Sequence, residues 1–230
     1  MKKLFLALAL LPLFASANEG AIDVVAPIDP SDQASLQRGA RTFVNNCLNC
    51  HSANFMRYNR LQDIGLTEKQ IKDNLVFAAD KVGDTMKVAM NKADAKKWFG
   101  APPPDLSVEV RARGADWVYA YLRGFYRDES TSTGWNNVVF DKVAMPHVLY
   151  ELQGEQVLNH ETHKLELVKP GKMNPAEYDA FVADLTNYLA FMAEPAKQQR
   201  QHIGIWALLF LGLLLVLTIK LKKAFWKDIK

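Results

Sequence analysis

Five consecutive residues, Cys47-Leu48-Asn49-Cys50-His51, constrain this chain more than anything else in it. A Cys-x-x-Cys-His run is the attachment signature of a c-type haem: two thiols add across the porphyrin vinyl groups as thioethers, and the histidine ligates the iron from one face. Two intervening residues let both sulfurs reach neighbouring pyrrole rings, and the residue straight after the second cysteine is carried under the iron. A zinc site would need two more soft or imidazole ligands, and the chain has no third cysteine. A redox dithiol, with Cys47 and Cys50 working as thiols, is the other use of the pair. With both sulfurs made into thioethers no internal disulfide can form, so packing and the porphyrin itself must stabilise the core.

Both ends of the chain are membrane-seeking. Lys2 and Lys3 precede an apolar run over 4–14, and Ala15-Ser16-Ala17 is the small-x-small pattern of a cleavage site, so residues 1–17 read as a signal peptide and the mature chain starts at Asn18. Export fits the motif, because c-type haems are attached outside the cytoplasm. Near the other end, residues 203–219 read IGIWALLFLGLLLVLTI without one charge, and Leu221 extends the run past a snorkelling Lys220. At about 1.5 Å per residue those 17 residues give roughly 26 Å of helix, which supports a single transmembrane helix over 203–221. The basic tail, 222–230, belongs in the cytoplasm by the positive-inside rule. The domain at 18–196 then lies in the periplasm of a bacterium, joined by a linker at 197–202 to a single-pass anchor in the inner membrane.

The formal net charge of +3 hides this division. Residues 18–196 carry 24 acidic side chains against 19 basic ones, a net of −5 before any haem propionates are added. An acidic exported domain attracts basic soluble partners and repels nucleic acid.

Along the domain, 18–30 is an extended lead-in. Ser31 and Asp32 are N-cap candidates for a helix carrying Leu36, Ala40, Phe43 and Cys47 inward, which delivers the haem-binding turn. Gly39 lies on that helix and is tolerable where another element crosses closely. Met56 to Arg60 should wrap the porphyrin. Residues 67–79 read as a second helix capped by Thr67 with Ile71, Leu75 and Ala78 inward, and Met86 and Met90 sit at helical spacing. Pro102-Pro103-Pro104-Asp105 must be extended and can lie flat along a haem face. Arg111 and Arg113 follow, each a natural bidentate partner for a propionate. Residues 116–125 read as a helix burying Trp117, Tyr121, Leu122 and Phe125, 127–135 as a loop, and 156–168 as a β-hairpin with His160 and His163 in a solvated turn. Asn174 and Pro175 open the last soluble helix, whose apolar stripe is Tyr178, Phe181, Val182, Leu185, Leu189 and Met192. The fold class is therefore mainly α. A glycine-bearing helix before the motif and an aromatic helix at the end resemble a class I c-type cytochrome-like haem domain, here with loop insertions and a small β-hairpin, plus one C-terminal transmembrane helix.

The sixth iron ligand decides the chemistry, since a thioether raises the reduction potential and suits an electron carrier, whereas an open position suits ligand binding. Pattern narrows the methionines to Met145, held before Pro146, and Met173, which precedes the last helix. His147 would give a bis-histidine pair.

Cys47 to Ser52, Met56-Arg57-Tyr58-Asn59-Arg60-Leu61, the run from Gly100 through Pro102-Pro103-Pro104-Asp105 to Ser107, Ala144-Met145-Pro146, and Ala193-Glu194-Pro195 before a terminal anchor together resemble the cytochrome c1 family. That family supplies the haem subunit of ubiquinol:cytochrome c oxidoreductase, respiratory complex III. The resemblance implies one covalent haem c with Cys47 and Cys50 as attachment sites, His51 and Met145 as iron ligands, and Arg113 at the propionate-binding arginine. It implies cytochrome b and the Rieske iron-sulfur protein as partners in a dimeric membrane complex. A soluble c-type cytochrome is the implied electron acceptor, and this chain itself carries no catalytic residue. His147 stands where the family often has a second proline, and residues 65–100 depart from the family pattern. Two other functions fit the motif: an independent membrane-anchored cytochrome feeding a terminal oxidase or reductase, and a thiol oxidoreductase using Cys47 and Cys50.

Overall fold

The helix that reaches the haem motif starts where the Asp32 carboxylate accepts the Ser35 amide at 3.0 Å. The structure, a computed structural model, describes residues 24–228 except residue 89, so the reading of 1–17 as a signal peptide lies outside the described residues. Helix α1 (Gln33–Thr42) buries Leu36, Gly39 and Ala40 and continues into one wide π turn, Phe43–Cys47. Strand β1 (Ala53–Arg57) and a 3-10 turn, Tyr58–Ile64, follow. Helix α2 (Glu68–Asn74) opens on a capping box between Thr67 and Gln70. Strand β2 (Thr85–Met86) pairs antiparallel with β1, placing Met86 opposite Ala53.

Helix α3 (Lys92–Phe99) ends at Gly100. The short α4 (Glu109–Arg113) and α5 (Ala115–Arg123) are separated by Gly114 at φ 92°, a conformation that favours glycine. Strands β3 (Phe125–Arg127) and β4 (Trp135–Asn137) form a small antiparallel pair. After α6 (Tyr150–Gln153), β5 (Gly154–Asn159) and β6 (Lys164–Pro170) form the expected hairpin, with His160 and His163 exposed at its tip. Helix α7 (Pro175–Ala193) begins at Asn174 with a second capping box, to Glu177, and α8 (Lys197–Phe225) carries the apolar run. The chain is about half helical, as expected for the mainly α reading.

Several local expectations are corrected. The second helix stops at Asn74 and leaves Ala78 exposed, because Leu75 turns out of helical geometry. Met86 is buried from a strand rather than a helix, and the helix of this region begins only at Lys92. Phe125 is buried from β3, beyond the end of α5. Residues 197–202, read as a linker, are the first turns of α8. With no Pro or Gly among them, nothing in their backbone chemistry interrupts the helix.

The core is built where α1 crosses α7. A β-carbon on Gly39 would stand 2.1 Å from the Asp184 carbonyl oxygen and 2.6 Å from the Tyr188 β-carbon, so the backbones touch where Gly39 has no side chain. Arg38 clamps the crossing, with Nε and an η nitrogen donating to the two Asp184 oxygens at 2.5 and 2.9 Å. One turn on, the Phe43 and Tyr188 rings pack at 5.7 Å. Helix α5 is tied to α7 by the bidentate Arg123–Asp179 pair and by the Tyr178 hydroxyl, which donates to the Leu122 carbonyl at 2.9 Å. Helix α8 stands apart with none of its described residues buried, and it is the one described helix long and apolar enough to cross a membrane.

Gly39→Ala forces a methyl group into backbone and should lower unfolding stability by about 3 kcal/mol, the upper end of the usual overpacking cost. Gly83→Ala, where a β-carbon meets nothing within 4 Å, should stay near wild type. Chemical denaturation of the detergent-solubilised protein checks both, and equal stabilities would contradict the crossing.

Candidate functional site

The π turn sets the motif. The Leu48 amide reaches back to the Phe43 carbonyl at 3.0 Å, and the amides of Cys50 and His51 both donate to the Cys47 carbonyl, at 3.0 and 2.8 Å. That knot carries Cys47, Cys50 and His51 on one short turn directly after α1, and both thiols are free. Burial pushes the Cys47 thiol up to about 12, with Cys50 adding a smaller effect, and burial raises Cys50 as well.

His51 is held by the proline run. Its Nδ1 donates to the Pro104 carbonyl at 2.8 Å. A carbonyl can only accept, so the proton sits on Nδ1 and Nε2 keeps its lone pair for a metal. Burial lowers the His51 pKa, opposed by the Pro104 contact and the Glu109 and Asp105 charges, and the ring is the neutral form a metal requires.

The run itself is pinned beside β1. The Leu106 amide donates to the Ser52 carbonyl at 2.9 Å, and the Phe55 amide to the Ser107 hydroxyl at 3.1 Å. Asp105 accepts from the Asn54 amide at 2.9 Å, the Asn54 side chain at 2.6 Å and the Ser107 amide at 2.9 Å. Burial works to raise the Asp105 pKa, but the hydrogen bonds from Ser107 and Asn54 outweigh it and hold the carboxyl below its ordinary value.

Arg113 points its Nε at Glu109, 2.6 Å away, and stacks its guanidinium over Trp117 at 4.4 Å. Arg111 is exposed. Met145 is half-buried against the cluster of Phe125, Trp135 and Val143, and its sulfur accepts from the Tyr121 hydroxyl at 3.4 Å. The Glu109 charge acts on both His51 and Tyr121. Met173 packs against the main core. His147 is buried, stacked flat on Phe125 at 4.8 Å with Trp135 edge-on at 5.0 Å. Burial pulls its pKa to about 4, with the Gln153 amide opposing and the Arg127 charge reinforcing, so it is neutral at pH 7. Phe125 covers one face of the ring, and its Nε2 has no hydrogen-bond partner. Among the described residues no group of three or more His, Cys, Asp or Glu could hold a metal ion, and His160 and His163 form no such group.

Sequence reasoning did not single out the Pro104 carbonyl, the Asp105 clamp or the Tyr121 hydroxyl. Each acts through a contact between segments distant in the chain, and no local pattern encodes it.

Residues 24–229 match the family model described as the Cytochrome C1 family. The chain belongs to the cytochrome c1 family. A cytochrome c1 from Allochromatium vinosum is 46% identical over the full length of both chains. A protein from Nitrosomonas europaea described as the gamma subunit of ammonia monooxygenase is 55% identical over all of this chain and 98% of its own. The mitochondrial cytochrome c1 haem protein of Saccharomyces cerevisiae is 26% identical over 95% of this chain and 73% of its own. Cytochrome c1 family proteins carry covalently bound haem c. The residues present fit that group: two free thiols on one turn, an imidazole with Nε2 available, and a thioether with a single recorded hydrogen-bond donor. The single apolar C-terminal helix fits a single-pass protein of the bacterial inner membrane.

Asp105→Ala removes three hydrogen bonds and should cost about 1 to 2 kcal/mol at neutral pH. Because the folded-state pKa lies below the ordinary 3.8, the carboxylate contributes its stability above that value and loses it as pH falls through the folded-state value. The difference between wild type and variant should therefore shrink below 3.8. Unfolding curves at stepped pH check this; a pH-independent difference would contradict it.

Proposed function

We propose that this chain is the membrane-anchored haem subunit of ubiquinol:cytochrome c oxidoreductase. In that role it relays single electrons from the Rieske iron-sulfur protein to a soluble periplasmic cytochrome c. Membership of the cytochrome c1 family supports a haem electron-transfer subunit of the bc1 complex, in which cytochrome b and the Rieske protein are partners. The observation that carries the reading is the His51 to Pro104 contact, which leaves one imidazole nitrogen ready for iron beside two free thiols. When bound, the haem supplies a one-electron iron couple, and a histidine and methionine pair sets it at a high potential.

The chain's own residues do the rest. Cys47 and Cys50 would hold the group covalently, and His51 and Met145 would supply its iron ligands. Met145 is preferred to His147 and Met173 because the resemblance to the family places the ligand methionine in a Met-Pro loop, here Met145-Pro146. Arg113, oriented by Glu109 and Trp117, turns its remaining donors to a propionate. Residues 1–17 are removed on export, 18–196 form the periplasmic domain, and 222–230 stay in the cytoplasm beyond the anchor. The anchor keeps the domain close to its donor at high effective concentration. The acidic balance of the domain attracts a basic soluble acceptor.

A second reading follows from the name of the Nitrosomonas europaea relative: association with a monooxygenase. One experiment separates the two. Affinity purification from native membranes in mild detergent, combined with a reduced-minus-oxidised spectrum, should recover cytochrome b and the Rieske protein with a c-type spectrum. Recovery of monooxygenase subunits, or of this chain alone, would overturn the complex assignment.

Met145→Ala should keep the covalent haem but lower the midpoint potential by more than about 59 mV, a tenfold change for one electron. An unchanged potential would transfer the ligand role to Met173 or His147. Arg113→Ala should shift the potential modestly or weaken haem retention on heating, and wild-type behaviour in both would remove the propionate assignment.

A further inference from the structure

Tyr121 stands in a continuous stack of rings. Trp117 lies flat on it, with centroids 5.0 Å and planes 11° apart, and Phe125 meets its edge at 5.2 Å. The stack continues from Phe125 to His147 at 4.8 Å and on to Trp135 at 5.0 Å. The backbone behind the ring is held as well, because the Asn137 side chain donates to the Tyr121 carbonyl at 2.8 Å. A ring stacked on one face, met by a second ring at its edge and held at its root has little freedom to swing, so the direction of its hydroxyl is determined by packing. That hydroxyl donates to the Met145 sulfur at 3.4 Å. Thioethers are weak acceptors, and a phenol that spends its proton on one does so because the packing places it there.

We propose that Tyr121 is a positioning residue for Met145: its hydroxyl occupies one lone pair of the thioether, fixes which one faces the iron, and raises the reduction potential of the centre. The inference rests on the reading of Met145 as the axial ligand. A thioether sulfur has two lone pairs, and a hydrogen bond to one leaves a single pair, at a fixed angle, for the metal. The same bond withdraws electron density from the sulfur. A less electron-rich sulfur stabilises Fe(III) less than Fe(II), so the reduced form gains.

The test is Tyr121→Phe in the full-length, haem-loaded protein, which keeps the ring and its stacking and removes the hydroxyl alone. The potential should fall by an amount equivalent to about a threefold to tenfold change in the oxidised-to-reduced ratio, tenfold being about 59 mV for one electron. The far-red absorbance band that marks a thioether on Fe(III) should be displaced. Wild-type potential and band would overturn the proposal. A double-mutant cycle with Met145→Ala separates this from a general packing effect. In the Met145→Ala background the hydroxyl has no sulfur to act on, so Tyr121→Phe should change nothing further. An equal shift in both backgrounds would show that Tyr121 acts elsewhere and would overturn it. A Met145→Ala protein that keeps the far-red band and the parent potential would remove the ligand assignment first and the role of Tyr121 with it, an outcome distinct from a silent Tyr121→Phe.

Discussion

Two helices can bring their backbones into contact only where one of them lacks a side chain, and Gly39 is that place. A β-carbon there would lie 2.1 Å from the Asp184 carbonyl oxygen, closer than any real contact, so the angle and depth at which α1 meets α7 are set by one missing atom group. The Arg38 to Asp184 pair and the Phe43 to Tyr188 contact lock the crossing on either side. Because α1 runs unbroken into the π turn, fixing the crossing also fixes where Cys47, Cys50 and His51 emerge. A π turn widens the helix by one residue and is frequent where a side chain must be re-aimed for function. Here it moves the motif off the helix axis and lets His51 reach the proline run.

The polar chemistry around the site is arranged to preset protonation rather than to exchange protons. The Pro104 carbonyl fixes the tautomer of His51, burial favours the thiol form of Cys47 and Cys50, and His147 is neutral inside an aromatic cluster. A centre that moves electrons and not protons benefits from such neutrality, because a group that titrated beside the iron would make the potential depend on pH. Of the charges that do approach, Glu109 pairs with Arg113, and Asp105 is held by Asn54 and Ser107.

What could be read from the sequence was what depends on local pattern. The Asp32 and Asn174 caps, the apolar stripe of α7, the β5–β6 hairpin and the C-terminal apolar helix all follow from neighbouring residues, and the close crossing at Gly39 was implied by a glycine costly to an isolated helix. The failures fell where tertiary contacts override pattern. Met86 and Met90 share helical spacing, yet Met86 pairs with Ala53 across a two-residue strand because the β1 edge is available to it. The loop at 127–135 closes a short β3–β4 pair too brief to show alternation. At the candidate site, the spacing shows the Cys47–His51 motif and leaves Met145, Met173 and His147 open as partners, while Tyr121 shows only as a core aromatic. Its bond to Met145 spans 24 positions and leaves no mark in the spacing of either segment.

The central claim is that an iron porphyrin is covalently joined to the Cys47–His51 turn. Intact-mass measurement of the mature protein taken from its native membrane, followed by peptide mapping, tests it most directly. The expected result is a mass exceeding the polypeptide by one haem, with both thioethers on the peptide that carries Cys47 and Cys50. A bare polypeptide mass with those two cysteines open to alkylation would contradict the account.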